Sequence, residues 1–134
     1  LKMITDMERI CDQGADIAEI VMSFEGDTSE GSSLLYEMAD KCVKMVMKAI
    51  DSFVNHDLVL ANAVIDSDDE IDRLFFEVRK ELVQEIQAGS QEGELLIDYI
   101  MIAKYLERIG DHAQNIAEWV VFNVTGERKQ KRIL

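Results

Sequence analysis

Met7-Glu8-Arg9-Ile10-Cys11-Asp12-Gln13-Gly14-Ala15-Asp16-Ile17-Ala18-Glu19 returns 99 residues later as Leu106-Glu107-Arg108-Ile109-Gly110-Asp111-His112-Ala113-Gln114-Asn115-Ile116-Ala117-Glu118. Both copies carry Glu-Arg-Ile-x-Asp and Ile-Ala-Glu at the same spacing. Two helices that each need only an apolar face have no reason to share polar residues, so the agreement points to a site rather than to packing. A Glu and an Asp four residues apart stand one helical turn apart on one face, where both carboxylates can close on a single cation.

Working outward from the two copies, the three- and four-residue steps of apolar side chains predict four helices. The first spans about residues 1–24, has no N-terminal cap, and carries Ile4, Met7, Cys11, Gly14, Ile17, Ala18 and Val21 on its inward stripe. It stops in the loop Glu25-Gly26-Asp27-Thr28-Ser29-Glu30-Gly31. Ser32 or Ser33 caps a second helix that turns Leu35, Met38, Cys42, Met45, Ala49 and Phe53 inward and breaks near Asn55-His56. Asp57 caps a third, with Ala61, Val64, Ile65, Ile71, Phe75, Val78, Leu82 and Ile86 inward, ending at Gly89. A fourth, about residues 93–124, presents Tyr99, Ile102, Ala103, Leu106, Ala113, Ile116, Ala117 and Val120. Short links between long amphipathic helices pack neighbours antiparallel, so the expected fold is an all-α up-down bundle. Residues 31–124 form one complete three-helix unit, residues 1–24 read as the last helix of a preceding unit, and residues 125–134 are a basic tail read as a solvated end. The extra first helix must still bury its stripe, either in this bundle or on a second copy in a homodimer.

Composition narrows the function classes. The 134 residues are 48% hydrophobic and 31% charged, with no Pro and 7 Gly, which suits one helical domain. Against 14 basic residues stand 27 acids, a formal charge of −13 that repels a phosphate backbone, so nucleic acid is not an expected partner. The same balance favours cations and basic protein surfaces. Cys11 and Cys42 lie 31 residues apart without a Cys-x-x-Cys spacing, and both are expected as buried thiols of a cytoplasmic protein. No apolar run of membrane-spanning length and no signal peptide is present.

The third helix holds Asp66, Asp68, Asp69, Glu70 and Asp72, and Asp68 falls on the line drawn by Ala61, Val64, Ile71 and Phe75. A carboxylate on a core stripe needs a partner, a metal or water. Glu107 and Asp111 flank the apolar stripe of the fourth helix, with Asn115 one turn further on the same side. Antiparallel packing then brings Asp68 and Asp72 against Glu107 and Asp111, and four converging carboxylates repel one another unless cations join them. Lys104, Arg108 and Arg9 offer a salt-bridged alternative. His112 reads as a solvated side chain, and Met38, Met45 and Met101 as core. No Gly-rich phosphate loop, Ser-His-Asp order or reactive-cysteine setting occurs, so no enzyme is expected.

With its doubled Glu-Arg-Ile-x-Asp and the upstream Asp68-Asp69-Glu70-Ile71-Asp72, the chain resembles the PhoU family of phosphate-uptake regulators over nearly its whole length. The resemblance implies two tandem three-helix bundles, of which residues 31–124 are the second and residues 1–24 the last helix of the first. It also implies bound divalent or trivalent metal, iron or zinc first and magnesium or manganese as well. Carried over, the metal pairs are Asp68 with Asp72 and Glu107 with Asp111, with Glu8 and Asp12 in the earlier copy and Asn115 as further candidates. In that copy Cys11 stands at the motif glycine and Gln13 at the histidine. Implied partners are a phosphate-sensing histidine kinase and the ATPase of a phosphate importer, contacted to restrain phosphate-starvation signalling. The resemblance also implies, as a first alternative, the cytosolic domain of a sodium/phosphate cotransporter; a bundle with acids offers as the second a di-iron carboxylate protein. The second needs Glu-x-x-His on two helices, and positions 53 and 109, three before each histidine, are Phe and Ile.

Overall fold

The computed structural model describes residues 2–24 and 32–133, with side chains as far as residue 126. Four helices follow one another: α1 (Lys2–Met22), α2 (Ser33–Asn55), α3 (Leu58–Gln87) and α4 (Gly93–Ile133), with no strand among the described residues. The expected loop over residues 25–31 lies outside the described residues.

Local chemistry sets the ends. Ser32 caps α2, its hydroxyl accepting from the Leu35 amide at 3.2 Å. His56 ends that helix in the left-handed conformation at φ 52°, and Asp57 immediately caps α3 through the Leu60 amide at 3.0 Å. Two residues between helices of 23 and 30 residues leave room only for a hairpin. Gly89, at φ 84°, turns the chain out of α3 towards α4.

Contacts along the helices give their directions. Cys42 Sγ donates to the Leu106 carbonyl at 3.2 Å and the Phe53 ring stands 6.0 Å from that of Trp119, so α2 runs parallel to α4. Ile71 meets Gly110 while Phe75 sits under Lys104, so α3 runs antiparallel to both. Asp6 reaches His112 and Phe24 packs edge-on against Tyr99, so α1 is antiparallel to α4. The order is therefore up-down-up-down. Helix α4 packs on all three others, and α1 packs on α4.

The core forms between α2, α3 and α4, where Met38, Val64, Ile71, Leu74, Val78, Ile116 and Val120 are fully enclosed. Of the expected stripes, those of α2 and α4 are buried or half-buried throughout. In α3 the burial stops one turn early, leaving Ile86 exposed beyond Leu82, and Leu74 joins the core. Met101 is exposed as well, on the outer face of α4.

Helix α1 departs most from expectation. Ile4, Cys11, Gly14, Ala18 and Val21 are exposed, whereas Met3, Asp6, Ile10 and Ile20 turn towards α4 together with Met7 and Ile17. The inward face is rotated by about one residue, because α1 meets one helix rather than two. Cys11 is accordingly an exposed thiol, while Cys42 is buried. These five exposed positions of the expected stripe have buried counterparts 99 positions on: Ala103, Gly110, Ala113, Ala117 and Val120. Helix α4 also extends to Ile133, so the basic tail continues the helix instead of ending it near Val124.

Gly110 lets α3 and α4 close on each other: a Cβ there would lie 3.3 Å from Ile71 Cγ2, whereas one at Gly14 would meet nothing within 4 Å. Gly110→Leu is expected to destabilise the chain by about 1–3 kcal/mol through overpacking. Gly14→Ala should stabilise it by up to about 1 kcal/mol through helix propensity. Urea unfolding of both variants checks the contrast, and equal effects would mean that the two glycines share one environment.

Candidate metal centre

Three carboxylates meet on the α3–α4 seam. Asp68 and Asp72, one turn apart on α3, face Asp111 on α4, and one oxygen from each lies within 4.8 Å of the other two. The capped α2–α3 hairpin and the Ile71–Gly110 contact hold that geometry, since Ile71 lies between the two α3 acids in sequence and Gly110 precedes Asp111. Asp68 is half-buried, and its Oδ1 is enclosed with no hydrogen-bond partner. A buried carboxylate oxygen with nothing to accept from is costly, and a cation is one group that satisfies it.

The electrostatics follow from that crowding. Burial raises the Asp68 carboxyl to about 6, and the charges of Asp72, Asp111, Asp69 and Glu107 add to the rise. Asp72 is raised by burial and then by Glu107 and Asp69, partly offset by Lys104. Asp111 is raised by burial and then by Asp72 and Glu107, with His112 and Lys104 acting the other way.

Glu107 adjoins the three acids but is engaged elsewhere: its Oε1 accepts from Lys104 Nζ at 2.6 Å. The salt-bridged alternative thus applies to Glu107, and Lys104 is the residue that supplies it. Arg108 instead lies over the Tyr105 ring, 5.9 Å from its centroid. Glu70, next to the acids in sequence, is paired with Lys41 of α2.

The other candidates point away from this seam. Asn115, one turn beyond Asp111, donates to Asp6 of α1 at 3.4 Å. His112 is no solvated side chain, for its Nδ1 stands 2.9 Å from the same Asp6 oxygen. Glu8 and Asp12 are exposed on the outer face of α1, around a shallow hollow shared with Ile4, Met7 and Cys11. Asp6 itself, buried against α4, is the polar residue that periodicity missed. Its only signal was a place on the true inward face, one residue away from the stripe drawn through Met7. Cys42 takes no part: burial pushes its thiol up to about 12, which keeps it protonated and inert.

The PhoU domain family matches residues 35–120 of this chain. A phosphate-specific transport system accessory protein PhoU homolog 1 from Thermotoga maritima is 37% identical over 133 residues, covering 98% of this chain and 57% of the relative. The homolog from Pseudomonas aeruginosa is 34% identical over 127 residues, covering 93% of this chain and 52% of its own length. The crystal structure of PhoU from Pseudomonas aeruginosa superposes with a TM-score of 0.88 at 33% identity, over 93% of this chain and 61% of that one. That of the phosphate transport system regulatory protein PhoU from Streptococcus pneumoniae gives 0.82 at 25% identity, over 92% and 59%. The chain thus spans somewhat more than half the length of these relatives.

Because Asp68 is raised in the folded chain, its neutral form is the one folding prefers. Its contribution to stability is full below the ordinary carboxyl value of 3.8 and is lost as pH rises through about 6. In chelator, Asp68→Asn is therefore expected to raise the Tm by a few degrees at about pH 7 and to make little difference near pH 4. Thermal melts of both proteins across that range check it, and a variant that melts lower at neutral pH would contradict the crowding described here.

Proposed function

The chain belongs to the PhoU family, and on that premise we propose that it acts as a cytoplasmic accessory regulator of phosphate transport. It works by protein–protein contact rather than by catalysis, with a metal ion held by Asp68, Asp72 and Asp111. The observation that carries the metal reading is the convergence of three carboxylates around the enclosed, unpartnered Asp68 oxygen. All the donors are carboxylate oxygens, a set suited to hard cations such as magnesium, manganese or ferric iron. Bound there, the ion supplies positive charge that relieves repulsion across the α3–α4 seam. Glu107, adjoining the three, completes the set if it leaves Lys104.

The partners we infer are the ATPase of a phosphate importer and a phosphate-sensing histidine kinase, and this rests on the relatives' role as transport-system accessory proteins. A net charge of −13 favours basic docking surfaces and speeds encounter. Among the described residues no helix is long and apolar enough to cross a membrane. A di-iron bundle centre is disfavoured by His112, whose Nδ1 is engaged with Asp6 of α1.

The outer face of α1 supports the domain reading. Its exposed Ile4, Cys11, Gly14, Ala18 and Val21 stand where α4 has residues buried against α2 and α3. We infer that α1 is the last helix of a preceding bundle, whose own hairpin covers that face and brings acids to Glu8 and Asp12.

Elemental analysis of the purified chain is expected to find bound metal that is lost in the Asp68→Asn, Asp72→Asn double variant. Retention of the same metal by that variant would assign it elsewhere. Binding to an importer ATPase and to the cytosolic part of a phosphate-sensing kinase should weaken as salt rises, mainly through the association rate. Failure to bind either, in a chain extended to include the preceding bundle, would favour the cotransporter-domain function.

A further inference from the structure

Lys104 is the cation already at the acid seam. Its Nζ lies 2.6 Å from Glu107 Oε1 and 5.4 Å from the centroid of the Phe75 ring on α3. The Glu107 side chain is only 17% exposed, whereas that of Lys104 is 48% exposed. The carboxylate is thus the confined partner, and the ammonium is the one free to move. Lys104 also offsets the crowding at Asp72 and Asp111, but it is not among the groups acting on Asp68, the most strongly perturbed acid.

We propose that Lys104 is the tethered counter-cation of this seam: it holds Glu107 while no metal is present, and it yields Glu107 to a divalent cation that binds Asp68, Asp72 and Asp111. The inference rests on the reading of those three acids as a cation site. Two observations carry it beyond that reading. First, hard cations take six or more oxygens, and Glu107, a further carboxylate that acts on all three acids, is the one Lys104 occupies. Second, the Phe75 ring gives the ammonium a resting place that does not need Glu107, because its face attracts a cation. A divalent ion and an ammonium that share four carboxylates repel each other, so the lysine sets the affinity of the site. It makes the site a weak, exchangeable one, fit to report on the cation supply, rather than a permanent structural one.

The test uses Mn2+ alone as the probe, with calorimetric titration of the purified chain and of Lys104→Gln, Lys104→Arg and Glu107→Gln. Melting temperatures are measured in chelator alongside. Lys104→Gln is expected to bind Mn2+ about two- to fivefold more tightly while melting lower without metal, since a competing charge worth on the order of one ion pair has been removed. Lys104→Arg should stay near the parent in both, and Glu107→Gln should bind more weakly. Equal or weaker Mn2+ binding by Lys104→Gln, where the parent binds, would overturn the role of Lys104 and leave the site standing. An unchanged metal-free melting temperature would overturn the counter-cation half. Absence of Mn2+ binding in every variant and the parent would instead remove the cation site, and this inference with it.

Discussion

Repulsion among carboxylates that helix packing forces together is the constraint on which the rest of this molecule depends. The packing leaves little freedom: α3 leaves α2 after two residues, and Gly110 lets Ile71 close on α4. Asp68, Asp72 and Asp111 are thereby brought to one seam, with Asp72 and Asp111 at its exposed edge and one oxygen of Asp68 enclosed without a donor among the described residues. Positive charge is the remedy, and the fold supplies part of it through Lys104, which reaches Glu107, Asp72 and Asp111. The part left over falls on Asp68, and a metal ion would meet it.

Much of this was legible in the residues themselves. The steps of α2 and α4 are dictated by burial against two neighbours, so apolar periodicity located their inner faces, and the Asp57 cap marked the start of α3. The acid pairs were readable because Glu-x-x-x-Asp keeps both groups on one face wherever the helix goes. Rotation about a helix axis is a different matter. Helix α1 carries two apolar faces, one towards α4 and one outward, and periodicity cannot tell which is covered in a given chain. That is why Cys11 was expected inside and Asp6 was overlooked. For Glu107 the sequence left two readings open, cation ligand and ion-pair partner: Lys104, three residues earlier, and Asp111, four later, lie on the same face, and only the side-chain conformation decides between them.

The outward face of α1 shows the repeat doing two jobs at once. In α4 the repeated apolar positions are buried against a hairpin, while in α1 several are exposed, and the acids of the motif differ in company: Asp111 has Asp68 and Asp72 of α3 beside it, whereas Glu8 and Asp12 border an open hollow on α1 alone. Peptides of nearly the same sequence thus have different electrostatics because of what packs on them. A carboxylate pair becomes a strained, cation-seeking site only when a second acidic helix is brought against it, so the chemistry belongs to the helix pair and not to the motif.

Helix α4 joins these parts. Consecutive residues, about 100° apart around the helix, serve different neighbours, Asp111 the acid seam with α3 and His112 the buried carboxylate of Asp6 on α1. Asn115, one turn on, holds that same Asp6 oxygen. The acid seam and the Asp6 contacts are therefore set by neighbouring residues of one stretch of helix, so the rotation of α4 about its axis fixes both at once.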